Sequence, residues 1–194
     1  MSEPWFEIGD ASEEEFPTIL EIVGTASPHT FNALRSTASQ RLSYVHSEFQ
    51  QLKRYVRQGR YRFLVARALP ERRVIGYLLL NLYQVDDLGR RETFVEDIGA
   101  WPEYWGRGIG HALFDAATQV TAELGIDFMG GEVAASNPRW EAALRNNFLL
   151  ESYRVVRPCT PRARQILEEA RLAREAHERL EKRRAARERR RLET

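Results

Sequence analysis

Apolar and polar positions recur along this chain at two different periods, and each change of period marks an element. The opening stretch WFEIGDAS alternates residue by residue and predicts a short strand. In SEEEFPTILEIV the period lengthens. Ile19, Ile22 and Val23 share one helical face, and Ser12 with Glu15 has the form of a capping box. Gly24 and Pro28 in GTASPHT are expected to break that helix. A second helix is expected over ASQRLSYVHSEFQQLKRYVRQ, with Leu42, Val45, Phe49, Leu52 and Val56 as its apolar stripe and Gly59 as its stop. The period then shortens to two. RYRFLVARA and RVIGYLLLNLY, joined by LPER, read as a hairpin, and ETFVEDIGAW reads as a third strand that Pro102 ends. Helical spacing returns from Gly110 to Leu124 through Leu113, Phe114, Ala117 and Val120, with Gly125 as the stop. IDFMGGEVA predicts another strand, NPRWEAALRNN a short helix capped by Asn137, and FLLESYRVVRP a last strand. This order makes the fold mixed α/β, or α+β: a mostly antiparallel central sheet flanked by helices, with a charged helical extension from about Pro161.

Length and charge divide the chain at the same place. Its 194 residues suit one domain over 1–160 with an Arg/Glu/Ala-rich helix over 161–194. The extension holds 11 Arg and one Lys against seven Glu, an excess of five positive charges; with +1 overall, residues 1–160 carry −4. Arg171–Glu175, Arg174–Glu178, Glu175–Arg179 and Glu178–Lys182 are helical pairs four apart. Ile166, Leu167, Leu172 and Leu180 are too sparse for a sustained coiled coil. A solvated single helix is the plainer expectation; contact with RNA or another acidic partner through KRRAARERRR is the alternative.

Other classes fall away quickly. Cys159 is the only cysteine, so no intramolecular disulfide forms. One Cys and four scattered His lack zinc-ligand spacing, and no metal is expected. No apolar run reaches the length of a membrane span, and MSEPWFEIGD is acidic and unlike a leader, so a cytoplasmic protein is expected. Monomer and homodimer both stay open.

Chemistry concentrates in EDIGAWPEYWGRGIGHALF. Its glycines at 106, 108 and 110 stand between a strand and a helix. A helix begins with backbone N–H groups that have no partner within the helix, and the peptide dipole adds positive charge there. Glycine lets a ligand approach that backbone, and Arg107 adds a cation. The turn therefore calls for a pyrophosphate-like anion. The spacing matches neither a dinucleotide fingerprint nor a Walker loop.

IGAWPEYWGRGIGHALF resembles a strand, a Pro, an aromatic, then Arg/Gln-x-x-Gly-x-Gly/Ala and a helix, the coenzyme A loop of the GNAT superfamily of acyl-CoA-dependent N-acyltransferases. EVAASNPRWEAALRNNF resembles that family's downstream strand, Asn, helix and Gly-Phe ending, with Asn137 and Phe148 at the matching places. The resemblance covers about residues 5–158. It implies a splayed sheet and acetyl-CoA as the cosubstrate. Ile98, Gly99 and Ala100 would expose backbone to the pantetheine arm. Amides of Trp105, Gly106, Arg107, Gly108, Ile109, Gly110 and His111 would surround the diphosphate. Asn137 would meet the pantetheine or the thiol end, and Trp140 would lie near the cofactor. Three positions depart from the pattern: Trp105 replaces the Arg/Gln, Asn147 replaces the Gly before Phe148, and Leu144 replaces a Tyr that many members use to protonate the leaving thiolate.

The implied reaction moves an acetyl group to a primary amine of a small molecule, peptide or protein. The amine must lose a proton, so a base is needed. Glu96 and Asp97 are adjacent carboxylates in an apolar strand, where burial raises a carboxylate's pKa. Strict alternation would put Phe94, Glu96, Ile98 and Ala100 on one face and Val95, Asp97 and Gly99 on the other. Glu96 is the favoured base, with an ion pair to Arg60 or Arg62 as its structural alternative. With Leu144 in the Tyr position, Tyr153, Ser136, Tyr104 or water would supply the acid. His111 reads first as a helix-face residue, and Trp5 as packing. A non-catalytic acyl-CoA sensor and a basic-tailed adaptor are the competing functions.

Overall fold

In the computed structural model, residues 4–30, 47, 49, 51–86, 88–133, 148–149, 159–169, 171–172, 175–176 and 179 are described. The elements are β1 (Phe6–Asp10), α1 (Phe16–Thr30), α2 over 51–57, β2 (Tyr61–Ala68), β3 (Arg73–Val85), β4 (Arg91–Ala100), α3 (Ile109–Glu123), β5 (Met129–Gly131) and α4 over 161–169. The five strands lie side by side in chain order. The first three pairings are antiparallel and β4–β5 is parallel. The expected mixed class, with a mostly antiparallel sheet between helices, is the one found.

Alternation along β2 and β3 sends side chains into two separate cores. Phe63, Val65, Tyr77 and Leu79 pack with Phe16, Ile19, Ile22 and Val23 of α1 and with Phe49, Leu52 and Val56 on the α2 side. Leu64, Ala66, Leu78 and Leu80 pack with Ile109, Leu113, Ala117 and Val120 of α3. The chain's start is tied to β2 by Arg67, which donates to both carboxylate oxygens of Glu15 at 2.6 and 2.8 Å and to the Asp10 carbonyl at 2.7 Å. The Ser12 amide donates to Glu15 at 2.7 Å, one half of the expected capping box.

Two expectations need correction. α1 does not break at Gly24 or Pro28 but runs to Thr30. Gly within a helix costs about 1 kcal/mol, less than the burial of Ile22 and Val23 just before it contributes. Pro28 falls in the last turn, where its ring removes one helical bond. The strand expected over IDFMGGEVA is described only as Met129–Gly131. The helix expected around Asn137 and the final strand lie outside the described residues.

β4 and β5 pair only through Thr93–Met129, Phe94–Gly130 and Val95–Gly131. From Glu96 to Ala100, β4 continues on β3 alone among the described residues. On the α3 side Thr93 and Thr121 share a buried hydroxyl contact at 2.6 Å, which seats α3 beneath the paired half of β4. The unpaired half of β4 leads directly into the glycine turn.

Candidate active site

The register of β3 on β4 slips between Asn81 and Gln84 and again between Leu79 and Leu80. Leu79 stands opposite Asp97 and Leu80 opposite Val95, so Glu96 is an extra residue. Such a bulge interrupts alternation and re-aims side chains. Thr93, Val95, Ile98 and Ala100 face α3, while Glu96 and Asp97 both reach residues of the α1–α2 face. This corrects the strict alternation expected from the sequence, which set the two acids on opposite faces.

Glu96 is exposed. Its Oε1 accepts from Asn81 Nδ2 at 2.9 Å and from the Tyr61 hydroxyl at 3.3 Å. Asn81 Oδ1 takes the Tyr83 amide at 3.0 Å, which fixes the amide's orientation with Nδ2 toward Glu96. Burial, and then the Glu96 charge, pushes the Tyr61 phenol up to about 12, so it remains a donor at neutral pH. The Arg60 or Arg62 ion pair weighed for Glu96 is not formed. Arg62 pairs with Asp10 at 2.5 and 2.8 Å, and Arg60 lies over the Tyr55 ring.

Asp97 is held differently. Its Oδ2 accepts from the Tyr77 hydroxyl at 2.5 Å and its Oδ1 from the Ile98 amide at 2.9 Å. The residue keeps some exposed surface, but burial of the carboxyl raises its pKa to about 6. The two hydrogen bonds oppose that rise and the neighbouring Glu96 charge adds to it. Gly99 makes the Tyr77 contact possible, since a Cβ there would lie 2.8 Å from the Tyr77 ring.

Beyond the bulge, the Trp101 amide donates to the Ile75 carbonyl of β3 at 3.1 Å. By alternation Gly99 also faces β3, while Ile98 and Ala100 turn their backbone groups toward the side that β5 has left. The Ile98 amide is engaged by Asp97, and the Ala100 carbonyl accepts the Trp105 indole N–H at 2.8 Å. The Trp in the family's Arg/Gln position therefore ties the turn to the strand end.

The turn reaches α3 through Gly106 at φ 75° and Gly108 at φ 85°, the helix N-cap. Both lie in the left-handed region, where a side chain is strained, and a Cβ at either would meet open space. Gly108 has no side chain to cap the first amides of α3, so Ile109 and Gly110 present theirs at an open helix end. An open helix start and two glycines without neighbours fit a diphosphate.

His111 is exposed and sits 3.5 Å from Asp115, on the helix surface as expected. Phe148 packs edge-on against Phe114 of α3 at 5.1 Å. Asn137, Trp140, Leu144, Ser136 and Tyr153 lie outside the described residues. Tyr61, Asn81 and Tyr77 are the residues that sequence reasoning missed. The signal available was Asn81, a polar residue inside the apolar run VIGYLLLNLY. A separate cleft of about 260 Å³, lined by Asp10, Val56, Arg62 and Phe63 among others, includes Tyr61 but neither acid nor the glycine turn.

A family model described as the acetyltransferase (GNAT) family matches residues 21–148. No curated protein sequence matches the chain. Among solved structures, PaiA N-acetyltransferase from Thermoplasma acidophilum in complex with coenzyme A is 19% identical, with TM-score 0.63 over 79% of this chain and 94% of that one. The aminoglycoside 6'-N-acetyltransferase AAC(6')-Ih from Acinetobacter baumannii is 18% identical, with TM-score 0.59 over 78% and 95%. An acetyltransferase from Trypanosoma brucei is 17% identical, with TM-score 0.58 over 78% and 98%. At these identities the structural likeness speaks to the fold. The family match takes in β2 to β5 together with the glycine turn, and with most of its length so matched the chain belongs to the GNAT acetyltransferase family.

Proposed function

We propose that residues 1–160 form an N-acyltransferase that moves an acetyl group from acetyl-CoA to a primary amine. The observation that carries this reading is the glycine turn at the start of α3, reached from the unpaired half of β4 that bears both acids. The coenzyme A complex of one structural relative supports the cosubstrate, and the aminoglycoside N-acetyltransferase supports an amine acceptor.

Acetyl-CoA, when bound, supplies an acyl group activated as a thioester that an amine attacks directly. The backbone of 105–111 would hold its diphosphate, and Ile98–Ala100 would face its pantetheine arm. By the resemblance, Asn137 would meet the pantetheine or the thiol end and Trp140 would lie near the cofactor. Glu96 serves as the base. Its Oε1 is held by Asn81 and Tyr61, while Oε2 accepts no hydrogen bond among the described residues and is available for the amine proton, directly or through water. Asp97, the other candidate base, has both oxygens occupied and acts instead by fixing the Ile98 amide. The Ala100 amide, turned to the open side, is the nearest backbone donor for a developing oxyanion. Tyr153, Ser136 or water supplies the acid, since Tyr104 is stacked on Trp5 beside Arg107. No metal is required by these roles, and the described residues contain no metal-binding cluster. No described helix is long and apolar enough to cross a membrane.

The test is calorimetric titration with acetyl-CoA, then a thiol-release screen over small amines, polyamines and peptide N-termini. Binding with amine-dependent thiol release, abolished in Glu96→Gln, is expected. Binding without turnover on any amine would replace the enzyme with an acyl-CoA sensor. Loss of a nucleic-acid partner on truncation after Thr160 would favour the adaptor.

A further inference from the structure

The one arginine of the glycine turn is held by aromatic rings and not by an acid. The Arg107 guanidinium carbon lies 4.0 Å from the centre of the Trp5 ring and 5.5 Å from that of Tyr104. The two rings are nearly parallel, 14° apart in plane, with centres 6.1 Å apart. Trp5 is itself fixed: its carbonyl accepts the Leu69 amide at 2.9 Å, and its ring meets Phe6 edge-on at 4.7 Å. Tyr104 is fixed by its amide, which donates to the Trp101 carbonyl at 3.0 Å. Arg107 is exposed, and no carboxylate pairs with it among the described residues.

Such a clamp has a definite chemical consequence. Stacking against a ring face fixes the plane of a guanidinium and leaves its N–H donors, which lie in that plane, unspent. A carboxylate partner would consume them. The result is a preoriented fork of donors, suited to a phosphate oxygen pair. Coenzyme A carries two anionic groups, a diphosphate and a 3'-phosphomonoester. The amides at the start of α3 already suit the first. The guanidinium, drawn toward the β1 side of the turn by Trp5, is a second and separate point.

We propose that Arg107, oriented by Trp5 and Tyr104, binds the 3'-phosphomonoester of coenzyme A. This rests on the acyltransferase reading and deepens it. Trp5 and Tyr104 are positioning residues in this assignment, and only Arg107 touches the ligand. The arrangement also accounts for Trp105. Its indole is committed to the Ala100 carbonyl, so the cation of the turn is provided two residues later.

The experiment is calorimetric titration of the full chain with coenzyme A and with 3'-dephospho-coenzyme A. Wild type, Arg107→Gln, Arg107→Lys, Trp5→Leu and the double variant Trp5→Leu/Arg107→Gln are compared. Wild type is expected to bind the dephospho ligand about tenfold more weakly than coenzyme A. Arg107→Gln should abolish that preference while leaving dephospho-ligand affinity unchanged. Arg107→Lys should retain part of it. Trp5→Leu should lose a few-fold, and the double variant should equal Arg107→Gln alone. Equal losses for both ligands in Arg107→Gln would assign the arginine to the diphosphate and overturn the proposal. Additive losses in the double variant would overturn the role of Trp5. Because Arg107 is exposed, its variants remain informative should Trp5→Leu fail to fold. Wild type that binds both ligands alike overturns this inference only, whereas wild type that binds neither overturns the acyltransferase reading as well.

Discussion

The two faces of the sheet are built from the same strands, yet only one of them carries the two acids of β4. The α3 face holds Leu64, Ala66, Leu78, Leu80, Val95 and Leu113, and its one buried hydroxyl pair, Thr93–Thr121, satisfies itself. The α1–α2 face has an aromatic core of Phe16, Phe49 and Phe63 that gives way to Tyr61 of β2, Tyr77 and Asn81 of β3 and the two acids of β4. The difference does not lie in composition along β4, where Glu96 and Asp97 are consecutive. It comes from one extra residue, which turns both carboxylates to the same side. The dry face fixes where β4 and α3 sit, and the polar face uses that fixed position.

Substitutions on the two faces should therefore fail in different ways. The largest effect is expected from Glu96→Gln, which should lower kcat/KM about 10²–10⁴-fold in a thiol-release assay while coenzyme A affinity stays within about twofold. A comparable fall in affinity would mean that the polar face also positions the cofactor. On the dry face, Leu113→Ala should cost about 2–5 kcal/mol in a denaturant melt, with turnover per folded molecule unchanged. Asp97 sharpens the contrast through pH. Its folded pKa is raised, to about 6, so the stability it contributes is complete below its unfolded pKa near 3.8 and is lost as pH rises through 6. Asp97→Asn should remove that decline, on the order of 2–3 kcal/mol between pH 4 and 7, read as a flatter stability–pH curve. A smaller effect is expected at the turn. Gly108→Ala should cost about 1–2 kcal/mol from its left-handed backbone and weaken coenzyme A binding, whereas Gly110→Ala should do neither.

Much of this was readable before any coordinates. β2, β3, β4 and α3 follow from period alone, because each buries one regular stripe, and the glycine turn follows from the conformations it needs. The pair Glu96–Asp97 was visible as charge inside an apolar strand. Their common face was not, since an inserted residue leaves no mark on hydropathy and only pairing with β3 reveals it. Tyr61 and Asn81 were hidden for the same reason. They sit opposite each other across the β2–β3 hairpin, and that adjacency is a property of register. The continuation of α1 through Gly24 was misread because local propensity was weighed without the burial that overrides it.

Glu96 is the one residue of β4 here that the ladder can spare. Opposite it the partners run from Leu80 to Leu79 without a gap, so a chain lacking position 96 would zip into regular pairing with Val95 and Asp97 in their present places. The proposed base and the architecture are thus separable by a single codon. Under the proposed role of Glu96, a one-residue deletion there is expected to give an inert scaffold that keeps its coenzyme A affinity.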